Sequence, residues 1–191
     1  VTNNSYGGPE GAGFVPPDAF NLVTKRAHDA GVIPVFSAGN SGDPKDTGKV
    51  SNHSNYAASP CVISVASGIA NKGYIDVNPL SYALGSRPPA QFGMPLPGDF
   101  RGQLSTFSSR GKKDDVFDHP DITAPGDYVA SAYNPGGAVL YAGGGAGPYV
   151  NPAHPEWSAS YYRLSGTSMS SPHIAGIVAL LLEANPDAGL P

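Results

Sequence analysis

The strongest chemical signal in the chain is a short segment that contains a serine. Residues 166–176 read Gly-Thr-Ser-Met-Ser-Ser-Pro-His-Ile-Ala-Gly, and Ser168 stands where an apolar helical pattern begins. The N-terminus of a helix presents free N–H groups and the positive end of the helix dipole, which suit an oxyanion and an activated hydroxyl. A lone serine at such a position is more often a helix cap. The remaining motifs must decide between a cap and a nucleophile.

A second polar turn follows a strand-like apolar segment. Residues 32–37 lead into residues 38–42, which read Ala-Gly-Asn-Ser-Gly. The side-chain amide of Asn40 could donate a hydrogen bond to an oxyanion. Taken by itself, an asparagine in a glycine turn is a turn residue that tolerates left-handed backbone.

The apolar pattern predicts the elements that would position these two segments. Residues 1–5 and 32–37 are strand-like, and between them lies a helix that Asp18 caps and Gly31 ends, with apolar residues at 20, 23, 27 and 30. A strand, a helix and a strand within about 35 residues predict a parallel pair with a right-handed crossover. Further extended segments are expected at 62–66, 106–110, 121–124 and 128–132. A helix at 168–184 is apolar on nearly every face, which predicts a buried central helix.

We expect one domain over residues 1–191, interrupted by long loops at about 68–104 and 134–162. The 25 glycines and 20 prolines of the chain cluster between the periodic segments. The second loop is rich in aromatic residues, and both packing onto the body and a contact surface for carbohydrate or protein are open roles for them. These residues are Tyr141, Tyr149, Trp157, Tyr161 and Tyr162.

Composition excludes several classes of function. A net charge of −4 without a basic stripe argues against a nucleic-acid partner. No apolar run approaches the ~18 residues of a membrane span. Cys61 is the single cysteine, so no internal disulfide can form, and its apolar neighbours predict a buried thiol in a strand.

Five segments, in order along the chain, resemble motifs of the subtilisin family of serine peptidases, the subtilases. Residues 166–176 match the family's serine motif, Gly-Thr-Ser-Met-x-x-Pro-His-x-x-Gly, nearly residue for residue. Residues 1–8 resemble its substrate-binding strand and residues 36–42 its oxyanion-asparagine turn. Residues 107–111 and 121–126 match two further landmarks. The resemblance implies an α/β fold with a mainly parallel sheet and helices on both faces, truncated at the N-terminal side.

The resemblance also implies roles for individual residues. Ser168 would be the nucleophile that forms an acyl-enzyme, and Asn40 would share the oxyanion hole with the Ser168 N–H. Two strands would flank P1, the substrate side chain before the scissile bond. Their residues are Ser5, Tyr6, Gly7, Ser37, Ala38 and Gly39. The small, uncharged residues of these strands predict a large apolar or aromatic P1.

The family's catalytic aspartate and histidine have no counterpart in this chain. The family order is Asp, His, Ser, whereas the Asp-Thr-Gly at residues 46–48 follows Asn40 and is interpreted as a loop turn. The histidines are interpreted as a helix-end residue (His28), polar-loop residues (His53 and His119), a residue of the second long loop (His154) and a buried-helix residue (His173). A serine without a general base is a poor nucleophile. We therefore expect the chain to be inactive alone and both residues to come from a preceding segment.

Three further expectations rest on the resemblance. Calcium is often bound in this family, which leaves a calcium site open, although Asp114, Asp115 and Asp118 are interpreted as a solvated loop. A secreted enzyme that acts on polypeptides is expected. The rival hypothesis is a non-catalytic, subtilase-like binding or scaffold module. The presence of both Ser168 and Asn40 argues against it, and the sequence upstream of Val1 would decide.

Overall fold

The structure is a computed structural model that describes residues 1–8, 14, 18–42, 52–70, 101–111, 115–132, 147–148 and 161–187. Its main sheet has four parallel strands in the order β1-β2-β3-β4. The strands are β1 (Thr2–Asn4), β2 (Pro34–Ser37), β3 (Ile63–Gly68) and β4 (Ile122–Pro125). The predicted, mainly parallel sheet is confirmed.

One face of this sheet packs against the serine helix, α2 (Thr167–Ala184). Val35 and Val65 of neighbouring strands form a buried cluster with Ala124 and with Ile174 of the helix. Because successive strand residues point to opposite faces, Phe36 lies on the other face. There it packs with Ala57 and Val62, and α1 (Ala19–Asp29) contributes Phe20. Helices therefore cover both faces, as predicted.

Helix α1 begins and ends as its sequence predicts. The Asp18 carboxylate accepts a hydrogen bond from the Phe20 N–H at 2.8 Å, and Gly31 takes up a left-handed φ of 83° just after the helix. The residues that α1 buries are Asn21 and Thr24, whereas Val23 is 61% exposed. The helix therefore packs through a side that contains Asn21 and Thr24 and not through the side that its apolar spacing predicts. On the packed side, the Thr24 hydroxyl lies 3.2 Å from the Ser59 hydroxyl.

A second, antiparallel sheet has the strand order β5-β7-β6. Its strands are β5 (Val129–Ala132), β6 (Gly147–Pro148) and β7 (Tyr161–Leu164). The prediction of a loop at 134–162 is therefore wrong for the residues of β6 and for the first residues of β7. The rest of that loop, with most of its aromatic residues, lies outside the described residues. The extended piece predicted at 106–110 is also wrong. That segment forms turns, since the Ser108 N–H closes back on the Ser105 carbonyl at 3.0 Å.

Helix α2 is not buried on every face, which corrects the sequence prediction. Ile177, Leu180 and Leu181 are 51%, 65% and 57% exposed. The sheet covers one side of the helix and the described residues leave the opposite side bare. His173 is exposed as well, rather than a core residue, and its Nδ1 lies 2.8 Å from the Met169 carbonyl oxygen.

Two smaller predictions have different outcomes. Cys61 precedes β3 and is partly exposed, so it is not a buried strand thiol. In the described ranges no helix combines the length and apolarity needed to cross a membrane. Residues 46–48, Asp114 and His154 lie outside the described residues.

Candidate active site

Ser168 lies in the first turn of α2, at the edge of the sheet where the parallel strands end. The Gly166 N–H, just before the helix, donates to the Gly126 carbonyl at 2.8 Å. A Cβ on Gly126 would collide with the hydroxyl oxygen of Ser170, so only glycine lets β4 approach the helix start this closely. The landmark at residues 121–126 therefore fixes where α2 begins.

The hydroxyl of Ser168 faces the end of β1. Its Oγ donates to the Ser5 carbonyl at 3.3 Å, and the Ser5 hydroxyl donates to the Ser168 carbonyl at 2.8 Å. Both residues are partly exposed. The predicted nucleophile thus lies directly against the predicted substrate-binding strand.

Asn40 reaches the same helix turn from the end of β2. Its Oδ1 accepts from the Thr167 N–H at 2.8 Å and from the Thr167 hydroxyl at 3.0 Å. Because both donors converge on the oxygen, the orientation of the amide is set and the NH₂ group points elsewhere. That nitrogen lies near the helix start, 3.5 Å from where a Cβ on Gly166 would stand. Asn40 is itself exposed, so its N–H groups can reach a ligand.

The Asn40 turn is held from behind by the segment at 107–111. Gly39 has a φ of 115°, and a Cβ there would come within 2.7 Å of the Ser109 hydroxyl. Ser109 donates its N–H to the Gly39 carbonyl at 3.0 Å and accepts from the Ser41 N–H at 3.2 Å. These bonds give the family landmark at 107–111 a physical reason: it shapes the turn that presents the amide.

Ser54 joins the two strands that were predicted to flank the substrate, and sequence reasoning missed it. Its N–H donates to the Ala38 carbonyl at 2.9 Å, and its hydroxyl accepts from the Gly8 N–H at 3.2 Å. A Cβ on Gly7 would lie 3.4 Å from the same hydroxyl. Ser54 is buried, and through these two hydrogen bonds it links the end of β1 to the turn after β2. Nothing in its own polar sequence context signals this position.

Tyr6 follows β1, with 53% of its surface exposed. Its ring meets Phe36 edge-on, with centroids 5.7 Å apart, and Tyr56 edge-on at 6.2 Å. These edge-to-face contacts anchor the strand end without burying the Tyr6 ring completely. The end of β1 therefore presents a partly exposed aromatic ring beside the predicted substrate-binding residues.

The described histidines lie near or hydrogen-bond groups other than the Ser168 hydroxyl. His28 lies near Asp29, His53 bonds the Ser64 hydroxyl, and His173 contacts the helix backbone. His119 pairs with Asp121. The hydroxyl of Ser168 is bonded to a backbone carbonyl instead, so this part of the chain supplies it with no general base.

His53 and His119 are buried on the opposite face of the sheet, which corrects their assignment to polar loops. They are 2% and 5% exposed and their rings stack with centroids 5.7 Å apart. His119 Nδ1 lies 3.2 Å from the Asp121 carboxylate, which also accepts from the Ser64 N–H at 2.7 Å. The network ties β3 to the segment that enters β4.

The electrostatics of this network separate its two histidines. Burial, and then the neighbouring His119, lower the pKa of His53 to about 4. Burial is the largest single influence on His119 and opposes its charge, but the hydrogen bond to Asp121, the charges of Asp121 and Asp115 and the Ser59 carbonyl together outweigh burial and raise the pKa of His119. Burial opposes the charge of Asp121, but the hydrogen bonds from His119 and from the Ser64 N–H, with the charge of His119, lower the pKa of Asp121. The network therefore disfavours charge on His53 and favours the charged forms of His119 and Asp121.

The described ranges bring together no group of three or more His, Cys, Asp or Glu side chains that could hold a metal ion. Asp115, interpreted from sequence as part of a solvated loop, lies in a turn segment and is partly exposed, and its carboxylate accepts hydrogen bonds from the backbone of that segment. It accepts from the Phe117 N–H at 3.4 Å and from the His119 N–H at 3.3 Å. These described residues do not fit a calcium site.

Comparisons with known proteins agree with this geometry. The sequence profile of the subtilase family matches residues 1–190. Serine protease AprX of Bacillus subtilis (strain 168) is 28% identical over 172 residues, which are 89% of this chain and 30% of AprX. Minor extracellular protease Vpr of the same organism is 39% identical over 85 residues, 44% of this chain and 8% of Vpr.

A solved structure, sphericase, shares the fold with a TM-score of 0.55 at 22% identity, and the match covers 98% of this chain and 44% of sphericase. The chain thus spans well under half the length of each of these relatives. Because the family profile matches nearly the whole chain and the serine and asparagine motifs meet in space, the chain belongs to the subtilase family.

Proposed function

We propose that the protein containing this chain is a serine endopeptidase in which Ser168 is the nucleophile and Asn40 stabilises the oxyanion. The observation that carries the proposal is the pair of hydrogen bonds from Thr167 to Asn40 Oδ1, at 2.8 and 3.0 Å. They turn the amide so that its N–H groups are available beside the helix turn that holds Ser168. A helix cap would not require a neighbouring amide oriented in this way.

In the proposed reaction, Ser168 Oγ attacks the peptide carbonyl while a histidine base removes the hydroxyl proton. The carbonyl oxygen becomes negative and accepts hydrogen bonds from Asn40 Nδ2 and from the Ser168 N–H. The protonated base then gives its proton to the leaving amine, which leaves an acyl-enzyme on Ser168. Water, activated by the same base, releases the acid and restores the hydroxyl.

The base and its aspartate are proposed to come from a preceding segment of the same protein. The family order of the triad supports this, since the aspartate and histidine precede the serine. Two properties of the chain agree with it. The chain spans only 44% of sphericase, and α2 exposes the apolar side chains Ile177, Leu180 and Leu181, which a further segment of the domain would cover.

The substrate is proposed to be an extended polypeptide that pairs with the backbone of Ser5–Gly7 and Ser37–Gly39. The P1 side chain is proposed to lie in a cleft between these two segments, with buried Ser54 at its base and the aromatic Tyr6 at its rim. None of these residues is charged, which favours a large apolar P1. Secretion is proposed from the family and from the name of the extracellular relative Vpr. A calcium site, if the protein has one, would use residues outside those described, and no step of the reaction relies on it.

The test is Ser168→Ala in the protein that includes the preceding segment, with Ser131→Ala as the matched control. Ser131 is exposed in β5, away from the cleft. Hydrolysis of a denatured protein substrate should fall to background for Ser168→Ala and stay at the parent level for Ser131→Ala. A fluorophosphonate should label the parent at Ser168. Peptide binding without hydrolysis or labelling would support the scaffold hypothesis instead.

A further inference from the structure

A side chain on β1 is linked to the nucleophile by a continuous series of hydrogen bonds. The Ser171 hydroxyl donates to Asn3 Oδ1 at 2.7 Å, and Asn3 Nδ2 donates to the Ser5 hydroxyl at 3.0 Å. The Ser5 hydroxyl donates in turn to the Ser168 carbonyl at 2.8 Å. The series leaves the first turn of α2 at Ser171 and returns to it at Ser168.

The direction of these bonds is consistent from one end to the other. Each hydroxyl uses its one proton once, and the Asn3 amide accepts with its oxygen and donates with its nitrogen. Chains of this kind strengthen their members cooperatively. The alternative acceptors are longer: the Ser171 hydroxyl lies 3.4 Å from the Val35 carbonyl, and the Ser5 hydroxyl lies 3.2 Å from Asn3 Oδ1.

The series closes a loop around the reacting group. Ser168 Oγ donates to the Ser5 carbonyl, so Ser5 touches the nucleophile through its backbone and holds the helix turn through its side chain. Ser171 is fully buried, which makes its bond to Asn3 costly to lose. Asn3 is exposed and therefore contributes little by apolar packing. Its hydrogen bonds are its main contribution.

We infer that Asn3 is a positioning residue: through Ser5 and Ser171 it fixes the first turn of α2, and with it Ser168, against the substrate-binding strand. The inference rests on the proposed peptidase function. A substrate bound along β1 and a nucleophile on α2 belong to different elements, and the series sets the distance between them. Loss of Asn3 should therefore lower kcat more than it raises KM.

The neighbouring Asn4 provides a matched control. It has the same side chain on the same strand, but its Nδ2 donates to the Val35 carbonyl at 3.3 Å and to the Thr2 hydroxyl at 3.2 Å. Its Nδ2 donates within the sheet and not to the helix turn, while its Oδ1 accepts from the Tyr6 hydroxyl at 3.2 Å, so Asn4→Ala also measures the loss of that contact. Asn4→Ala should thus report any general weakening of β1.

The experiment uses the protein with its preceding segment and compares Asn3→Ala, Asn3→Asp, Ser5→Ala, the double variant Asn3→Ala/Ser5→Ala, and Asn4→Ala. Asn3→Ala should lower kcat by about 10- to 100-fold, the scale that a nucleophile misplaced by up to about 1 Å can produce. Asn3→Asp keeps the acceptor for Ser171 but cannot donate to Ser5, so it should not rescue kcat. The double variant should lose no more than about 2-fold beyond Ser5→Ala, because the two residues act in series.

Hydrogen–deuterium exchange of a peptide covering residues 166–171 gives a readout that does not need activity. Exchange should rise in Asn3→Ala and Ser5→Ala and stay at the parent level in Asn4→Ala. An active parent whose kcat survives Asn3→Ala, or losses that add fully in the double variant, would overturn the inference. An inactive parent with raised exchange would instead refute the proposed function and leave the positioning of the helix turn supported. Unchanged exchange in an inactive parent would refute both.

Discussion

The two faces of the parallel sheet meet different needs. On one face, Val35 and Val65 pack against α2, and the far side of that helix exposes Leu180 and Leu181. On the other face, the cover includes His53 and His119, both nearly fully buried and linked to charged or polar partners. The first face needs further apolar residues to cover the outside of α2. The stability of the second face depends on the protonation states of its buried histidines.

Activity is therefore expected to depend on the completion of the first face, and stability in acid on the histidines of the second face. Ser168 and Asn40 both lie at one edge of the sheet, and Ser168 belongs to α2, the helix that packs on the first face. Whatever covers the outside of α2 is proposed to bring the general base as well. The histidine network of the second face is buried and should respond to pH in its own way.

The largest expected effect concerns the completion of the first face. Residues 1–191 without a preceding segment should show no measurable turnover of a peptide substrate, because no described histidine is bonded to Ser168. Loss of the base costs about 10⁶-fold in kcat in subtilisin, a member of the family, and that magnitude is taken from there. The measurement is turnover by the purified chain beside the longer protein. Ser168-dependent turnover by the chain alone would show that a base lies among its own residues.

The next effect belongs to the second face and appears as acid lability. The ordinary pKa of histidine is 6.5, and that of buried His53 is about 4. Between these values the unfolded chain takes up a proton that the folded protein refuses. The free energy of unfolding should therefore fall by up to about 3 kcal/mol as the pH drops from 6.5 to 4.

The partners of His53 do not cancel this loss. The raised pKa of His119 adds stability that is fully present below pH 6.5 and lost as the pH rises through the folded value. The lowered pKa of Asp121 adds stability that is lost only below its ordinary value of 3.8. Asp115, the remaining charge that acts on His53, raises its pKa. Within the window His53 dominates.

Denaturant unfolding at pH 7 and pH 4.5 measures this prediction. His53→Gln retains a donor for the Ser64 hydroxyl and should flatten the acid loss, even if its stability at pH 7 is lower. His28→Gln, at the partly exposed end of α1, should behave like the parent. An acid loss that persists undiminished in His53→Gln would place the sensitive group elsewhere.

A smaller effect concerns the outside of α2. Leu180→Ser should destabilise the longer protein by about 2 kcal/mol, the free energy of burying a leucine, because the preceding segment is proposed to cover it. In residues 1–191 alone, where Leu180 is 65% exposed, the same change should have almost no effect. Equal effects in both proteins would mean that nothing further covers this side of the helix. Thermal or denaturant unfolding of the four proteins provides the comparison.

The smallest effect is expected at the base of the cleft. The parent should prefer a large apolar P1 to lysine, and Ser54→Asp should shift the ratio of kcat/KM toward lysine by about 10-fold. The Ser54 hydroxyl is placed for this by its bond to the Gly8 N–H. A scan of P1 residues on one peptide series measures it. An unchanged ratio would remove Ser54 from the cleft, and a parent preference for lysine or arginine would reveal an acidic residue outside the two strands.

The sequence was most informative where function and local structure share one short segment. The serine motif predicted the start of α2, and the glycine turn predicted the location of Asn40, because each is specified by adjacent residues. Ser54 and the buried histidines could not be predicted in the same way. His53 is buried by its contact with Ser64, and His119 by contacts that include the Ser59 carbonyl, 60 residues away.

Two errors have the same physical origin. Strand β7 was assigned partly to a loop because its pairing partner β5 is distant in sequence and Tyr161–Leu164 shows no clear apolar alternation. The burial of α2 was overestimated because an apolar helix indicates that a cover is needed, not which residues supply it. The apolar composition of α2 indicated that both sides of the helix need to be covered, and the described residues cover only the side that faces the sheet.

The central claim is most directly tested at Asn40, whose N–H should bind the transition state more strongly than the substrate. Asn40→Leu removes the donor but also the acceptor for Thr167, whereas Asn40→Asp keeps that acceptor and replaces the donor with an oxygen. In the protein with its preceding segment, kcat of Asn40→Asp should fall by about 10²–10³-fold with KM nearly unchanged, a size known for this donor in subtilisin itself. A kcat within a few-fold of the parent would show that Asn40 is only a turn residue and would contradict the account.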